Sequence, residues 1–169
     1  MKRCYHDPII IYSKASNSNV VNHMPKLTIG DPAPYFKLPD QDWNYWTLED
    51  FIGKWLVLFF YPQDNTPIGF SNIFDDLQDM DAQIVGISGD SVERHRAFID
   101  KNNLKITLLS DELHSVIKEY GAHTFEGTHT NRDTILIDPL GNVAFIWREV
   151  VDPEEHPAEV EAKLAELKE

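Results

Sequence analysis

Trp55-Leu56-Val57-Leu58-Phe59-Phe60-Tyr61-Pro62 decides the fold of this chain. The residues before the proline are all apolar or aromatic and show no alternation. A strand with one face in water alternates, whereas an uninterrupted run of this length suits a strand buried on both faces. Such strands sit at the centre of parallel sheets with helices packed on each side. Pro62 has no N–H to donate and ends the run.

Toward the C-terminus, Thr66-Pro67 has the form of an N-cap followed by proline at the first helical position. Phe70, Ile73, Phe74, Leu77 and Met80 recur at helical spacing. One helix is therefore predicted there, with Phe74 and Leu77 toward the core. Residues 82–88 read as the next buried strand. Ser91 caps a helix with Val92, His95, Phe98 and Ile99 on one face. Residues 106–109 read as strand, 113–120 as a helix ended by Gly121, and 134–137 and 143–150 as strands around a turn at 138–142. Pro153 opens a last amphipathic helix through Val160, Leu164 and Leu167. Toward the N-terminus, residues 35–39 and 45–48 read as a hairpin, then one helical turn at 49–52 stopped by Gly53. The order is β-β, then β-α-β-α-β-α, then a hairpin and a helix. That is the α/β layout of a thioredoxin-like fold: a central mixed sheet, helices on both faces and an N-terminal β-hairpin.

The chain has 169 residues, 42% hydrophobic and 25% charged, enough for one domain with a sizeable core. No apolar run approaches the ~18 residues of a membrane span. With 15 Lys+Arg against 28 Asp+Glu the net charge is −13. That argues against nucleic acid and anionic membranes, whose binding rests on basic side chains. Residues 1–23 hold Lys2, Arg3 and Lys14 against Asp7 alone, so the acidic excess lies wholly beyond them. This Asn- and Ser-rich segment is expected to be a flexible tail on a domain spanning 24–169. It reads either as an upstream extension before a natural start at Met24 or as an organelle-targeting segment. Cys4 is the single cysteine, which excludes an intramolecular disulfide, a CxxC pair and a cysteine zinc site.

From about Leu27 onward the sequence resembles peroxiredoxins of the bacterioferritin comigratory protein or peroxiredoxin Q subfamily. The residues that carry the resemblance include Gly30-Asp31-Pro32-Ala33-Pro34, Phe60-Tyr61-Pro62-Gln63-Asp64-Asn65-Thr66-Pro67 and Gly86-Ile87-Ser88. Leu109-Ser110-Asp111, Arg132 and Leu136-Ile137-Asp138-Pro139-Leu140-Gly141 extend it. The resemblance implies a thioredoxin-like fold and thioredoxin-dependent reduction of hydroperoxides by a thiolate. Its active-site positions fall here on Pro62, Thr66, Gly69 and Arg132. In such proteins Thr-Pro is followed by Gly-Cys-Thr, and that cysteine attacks the peroxide. Here Thr66-Pro67 is followed by Ile68-Gly69-Phe70. Gly69 takes the place of the peroxidatic cysteine, and Phe74 that of the resolving cysteine of members that have one. Peroxide reduction needs a nucleophile that accepts an oxygen atom, as a thiolate does in becoming a sulfenic acid. Glycine supplies none.

The expected function is therefore that of a pseudoenzyme of an antioxidant family, one that binds or regulates. Its partner is expected to be a protein or a small anion held by Thr66, Gly69 and Arg132. The plainer alternative makes Thr66 only a helix cap and Arg132 only a salt-bridge partner. Two enzymatic alternatives stand beside these: residual peroxidase activity through Cys4, and a non-redox enzyme using Thr66, Arg132 and the loop histidines His114, His123 and His129. His123, His129 and Glu126 match no metal motif, and no cofactor is expected. The acidic runs at 75–81 and 154–161 read as solvated helix faces. Trp43, Tyr45, Trp46 and Trp147 read as core or edge packing, or as a partner surface. A soluble cytoplasmic monomer or homodimer is expected.

Overall fold

The computed structural model describes residues 26–62 and 66–169. The predicted tail, its boundary at Met24 and Cys4 lie outside the described residues, as do Gln63, Asp64 and Asn65.

The hairpin forms as expected from β1 (Lys37–Pro39) and β2 (Tyr45–Thr47), with Leu38 opposite Trp46. Asp40 organises its turn. The carboxylate accepts from the backbone N–H of Asp42 (2.8 Å) and Asn44 (2.9 Å) and from the indole N–H of Trp46 (2.8 Å). Trp46 is half-buried and stacks on Phe51 of the following 3-10 helix (Leu48–Phe51), 5.6 Å between centroids. Trp43 and Tyr45 do not pack inward; both are exposed.

The main sheet has five strands: β3 (Trp55–Phe60), β4 (Ala82–Ser88), β5 (Thr107–Ser110), β6 (Asp133–Ile137) and β7 (Val143–Trp147). Their order is β5-β4-β3-β6-β7, so β3 lies at the centre. It runs parallel to β4 and antiparallel to β6. The absence of alternation in β3 follows from this placement. Leu56, Leu58 and Phe60 enter one core with the hairpin residues Phe36 and Leu38 and with Val116, Ile117 and Tyr120. Val57, Phe59 and Tyr61 enter the other, with Phe70, Leu77, Ile99, Val160 and Leu164.

The predicted helix after β3 is two helices, α1 (Thr66–Asn72) and α2 (Phe74–Asp79). They break at Ile73, whose φ of −100° and ψ of 15° leave the helical range. The break lets Phe70 and Leu77 both reach full burial, while Phe74 stays half-buried at the margin. α3 (Val92–Asn102) is capped as predicted, Ser91 Oγ accepting from the N–H of Arg94 at 3.3 Å. α4 (Ser115–Glu119) starts two residues later than predicted, because the buried Asp111 carboxylate collects the N–H groups of Ser115 (3.1 Å) and Ile117 (2.8 Å). α5 (His156–Lys168) also starts late. Asp152 accepts from the N–H groups of Glu154 (3.0 Å) and Glu155 (3.2 Å), so the residues after Pro153 turn before the helix begins. β7 stops at Trp147 because Glu149 takes a left-handed φ of 51°.

Candidate functional site

The end of β3 delivers the chain through Pro62 to α1. Thr66 is the first residue of α1, not its cap, and is buried. Among the described residues its hydroxyl has no hydrogen-bond partner. Three residues on, Gly69 faces the start of α5. A side-chain carbon there would lie 3.0 Å from Cγ of Pro157 and 3.4 Å from the carbonyl oxygen of Pro153. Ile68, Gly69, Asn72, Pro153 and Glu154 line a cleft of about 460 Å³. Phe70, also altered from the family pattern, is fully buried. It stacks on Phe59 (4.5 Å, 21°) and meets His156 edge-on (5.9 Å, 90°). His156 is fixed in turn by Thr134 Oγ1, 2.8 Å from its Nε2. Burial lowers the His156 pKa, with Glu159 pulling the other way. The first turn after β3 is therefore clamped between the central strand and α5.

Arg132 immediately precedes β6 and lines a different cleft, a groove of about 540 Å³. Pro62, Asp90, Arg94, His114 and His129 line it too. Neither Thr66 nor Gly69 does, so the three expected anion ligands are not brought into one pocket. As for the plainer alternative, among the described residues the Thr66 hydroxyl has no hydrogen-bond partner and Arg132 pairs with no carboxylate. Its buried Nε meets no acceptor among the described residues. Of the histidines, His129 is carried by a small loop closed by Thr124 N–H on the His129 carbonyl (2.9 Å). His114 lies against Gly89, where any side-chain carbon would collide with its ring. His123 and Glu126 do not line the groove. Among the described residues no group of three or more His, Cys, Asp or Glu is placed to hold a metal ion.

Below the groove lies a polar cluster that helical spacing alone did not reveal. His95, read as one member of an apolar face, is buried among hydroxyls. Its Nε2 lies 2.8 Å from Ser88 Oγ and 3.1 Å from Tyr61 Oη, and its Nδ1 3.2 Å from Ser110 Oγ. Ser88 donates its proton to Asp90 Oδ2 at 3.2 Å. It must then accept from His95, which puts the imidazole proton on Nε2 and lets Nδ1 accept from Ser110. Asp90 bonds the serine rather than the imidazole, so this is not a nucleophile–base–acid relay. Burial drives the His95 pKa from 6.5 down to about 4; Asp90 opposes the shift and Arg94 adds to it. Between those pH values the unfolded state binds a proton that the folded state refuses. Stability is thus full above pH ~6.5 and falls as pH drops toward ~4, by about 3 kcal/mol from this group. Urea unfolding at pH 7.5 and 4.5 should show that loss in the wild type and a smaller one in His95→Gln. Equal losses would remove His95 from the account.

A five-stranded sheet of this order, the antiparallel hairpin beside it and the Pro62, Thr66-Pro67 and Arg132 positions define a thioredoxin-like fold of the peroxiredoxin type. The AhpC/TSA family model matches residues 29–146. A chloroplastic peroxiredoxin Q of Sedum lineare is 39% identical over 150 residues, 85% of this chain and 81% of its own. A putative peroxiredoxin bcp of Coxiella burnetii is 36% identical over 151 residues, 82% of this chain and 99% of its own. A Cys-to-Ser mutant of Xylella fastidiosa PrxQ superposes with a TM-score of 0.78 at 29% identity, covering 85% of this chain and 98% of that one. The chain belongs to the AhpC/TSA family, in its peroxiredoxin Q and bcp branch. No helix among the described residues is long and apolar enough to cross a membrane.

Proposed function

We propose that this chain is a peroxiredoxin Q-like protein that has given up thiol peroxidation and acts by binding. One observation carries the reading. Gly69 stands where the family's attacking thiolate would be, and Pro157 closes on it at side-chain contact distance. No hydroxyl or amine replaces a thiolate in oxygen-atom transfer to form a sulfenic acid. Among the described residues the buried Thr66 hydroxyl has no hydrogen-bond partner and does not line the groove that holds Arg132, His114 and His129, which supports binding over the non-redox alternative. The partner is a small anion or a protein. The chloroplastic and bacterial relatives fit an aqueous interior compartment such as the cytoplasm.

Consumption of hydrogen peroxide and cumene hydroperoxide with dithiothreitol or thioredoxin as reductant tests this directly. The full chain should consume no more than the reductant alone. Protein-dependent turnover that disappears in Cys4→Ser would make Cys4 the nucleophile and overturn the proposal. Turnover that survives Cys4→Ser would overturn it in favour of a thiol-free enzyme.

A further inference from the structure

We propose that the groove between the hairpin turn and α3 docks a basic segment of a partner protein, with an arginine or lysine side chain over the exposed indole of Trp43 and its charge toward Glu93. This goes beyond the binding reading above, which stands on Gly69, and holds whether or not the chain reduces peroxide.

Trp43 takes a φ of 63°, in the left-handed region where a bulky side chain is an outlier and glycine the natural choice. The turn holds it there, the Asp40 carboxylate accepting from the N–H groups of Asp42 and Asn44 on either side. The fold gains little packing from the indole, which is 58% exposed. Among the described residues no aromatic ring and no cation pairs with it, whereas nearby Tyr45 already carries Lys37 at 5.6 Å. A large aromatic that strains its turn and adds nothing to the core is suited to contact another molecule.

The groove beside Trp43 selects the partner. It measures about 490 Å³, and its lining includes Gln41, Asp42 and Trp43 from the turn and Glu93, Arg96 and Asp100 from α3. Arg96 bridges Asp42 (2.8 Å) and Asp100 (2.5 Å), which pins the turn to the helix. Gln41 Oε1 accepts from the Leu108 N–H at 3.2 Å and pins the turn to β5. The walls are therefore set before anything binds, which lowers the cost of ordering them. Glu93 has no ion-pair partner among the described residues. Three carboxylates against one guanidinium leave the groove negative, in a chain whose net charge of −13 already draws cations. An open indole next to an unpaired carboxylate matches a side chain with an apolar stem and a cationic head. Arginine fits best, since its planar guanidinium stacks on the ring while its edge donates to the carboxylate. A lone cation over an exposed ring gains little, so the rest of the groove is assigned to the residues that flank it in a protein segment.

The test is titration of the full-length chain with an acetylated, amidated hexapeptide of alternating arginine and glycine, at low salt and with added sodium chloride. The same peptide with glutamate for arginine is the control. The indole N–H resonance of Trp43, assigned by its loss in Trp43→Gly, reports on the groove. Saturable binding of the arginine peptide that moves this resonance and weakens with salt is expected, and none of the glutamate peptide. Trp43→Gly keeps the net charge and suits the left-handed backbone, so the Trp46 indole should stay on Asp40. It should weaken binding about fivefold or more, the scale of a cation–π contact, and Glu93→Gln should weaken it less. Equal affinity in Trp43→Gly overturns the proposal, because the general negative field then holds the peptide. A wild-type Trp43 resonance that stays still as the arginine peptide is added overturns it too, and decides the matter even if Trp43→Gly fails to fold. A resonance that shifts with protein concentration overturns it in favour of a second copy of the chain. One that shifts without peptide when Lys2, Arg3 and Lys14 are all changed to Gln overturns it in favour of the chain's own N-terminal residues.

Discussion

Asp133→Ala is expected to lower unfolding stability by about 3–5 kcal/mol, the cost of breaking a buried ion pair from one side. Asp133 is fully buried, and Arg148 is only 23% exposed. One carboxylate oxygen accepts from Arg148 Nη1 at 2.7 Å and the other from the N–H of Glu149 at 2.8 Å. Alanine would strand both donors, and Arg148 Nη2 is already buried without a partner among the described residues. Asp133→Asn keeps an acceptor for Glu149 but loses the charge, so its cost should fall between wild type and alanine. Urea denaturation of the three proteins at neutral pH orders them. A near-neutral alanine variant would show that the pair breaks even with its desolvation. The consequence reaches the site, because this carboxylate ties the end of β7 to the start of β6 beside Arg132. The chain leaving that anchor runs into the prolines that cover Gly69.

The parts of the fold that were legible in the sequence are those set by local pattern. The run from Trp55 announced a strand buried on both faces, and both cores confirm it. Ser91 announced a cap, and its side chain makes the bond. The illegible parts depend on partners distant in sequence. Helical spacing runs unbroken through Phe70, Ile73 and Leu77, yet the helix breaks at Ile73 to seat Phe70 against His156 as well as Phe59. Nothing near Pro153 says that it will turn over Gly69 before α5 begins. His95 fits an apolar helix face until Tyr61, Ser88 and Ser110 arrive from other elements. The candidate site divides in the same way. Its residue types were visible from the family pattern, including the missing sulfur. Their distribution between two clefts was not, because it follows from how α1 docks on α5.

That docking governs what Gly69→Cys should do. A restored thiol is expected to titrate at or above the ~8.5 of free cysteine and to form no detectable sulfenic acid with peroxide. Its side chain would press on Pro157, whose ring must give way by a few tenths of an ångström. Contact with an apolar ring desolvates the thiolate, and the Pro153 carbonyl oxygen, 3.4 Å from the new carbon, favours a protonated S–H as donor. Arg132, the cation that would lower the pKa, lines the other cleft. Adding Ile68→Gly and Phe70→Thr restores the family pattern but removes Phe70 from its stack on Phe59, at a cost on the order of 3–5 kcal/mol. The triple variant should therefore be less stable, with a thiol more open to peroxide because α1 is no longer held against α5. Thiolate absorbance titration and trapping of sulfenic acid, both with Cys4→Ser in the background, read the two variants. A pKa well below 8.5 in Gly69→Cys alone would mean that position 69 already feels Arg132, and that the two clefts form one site in solution.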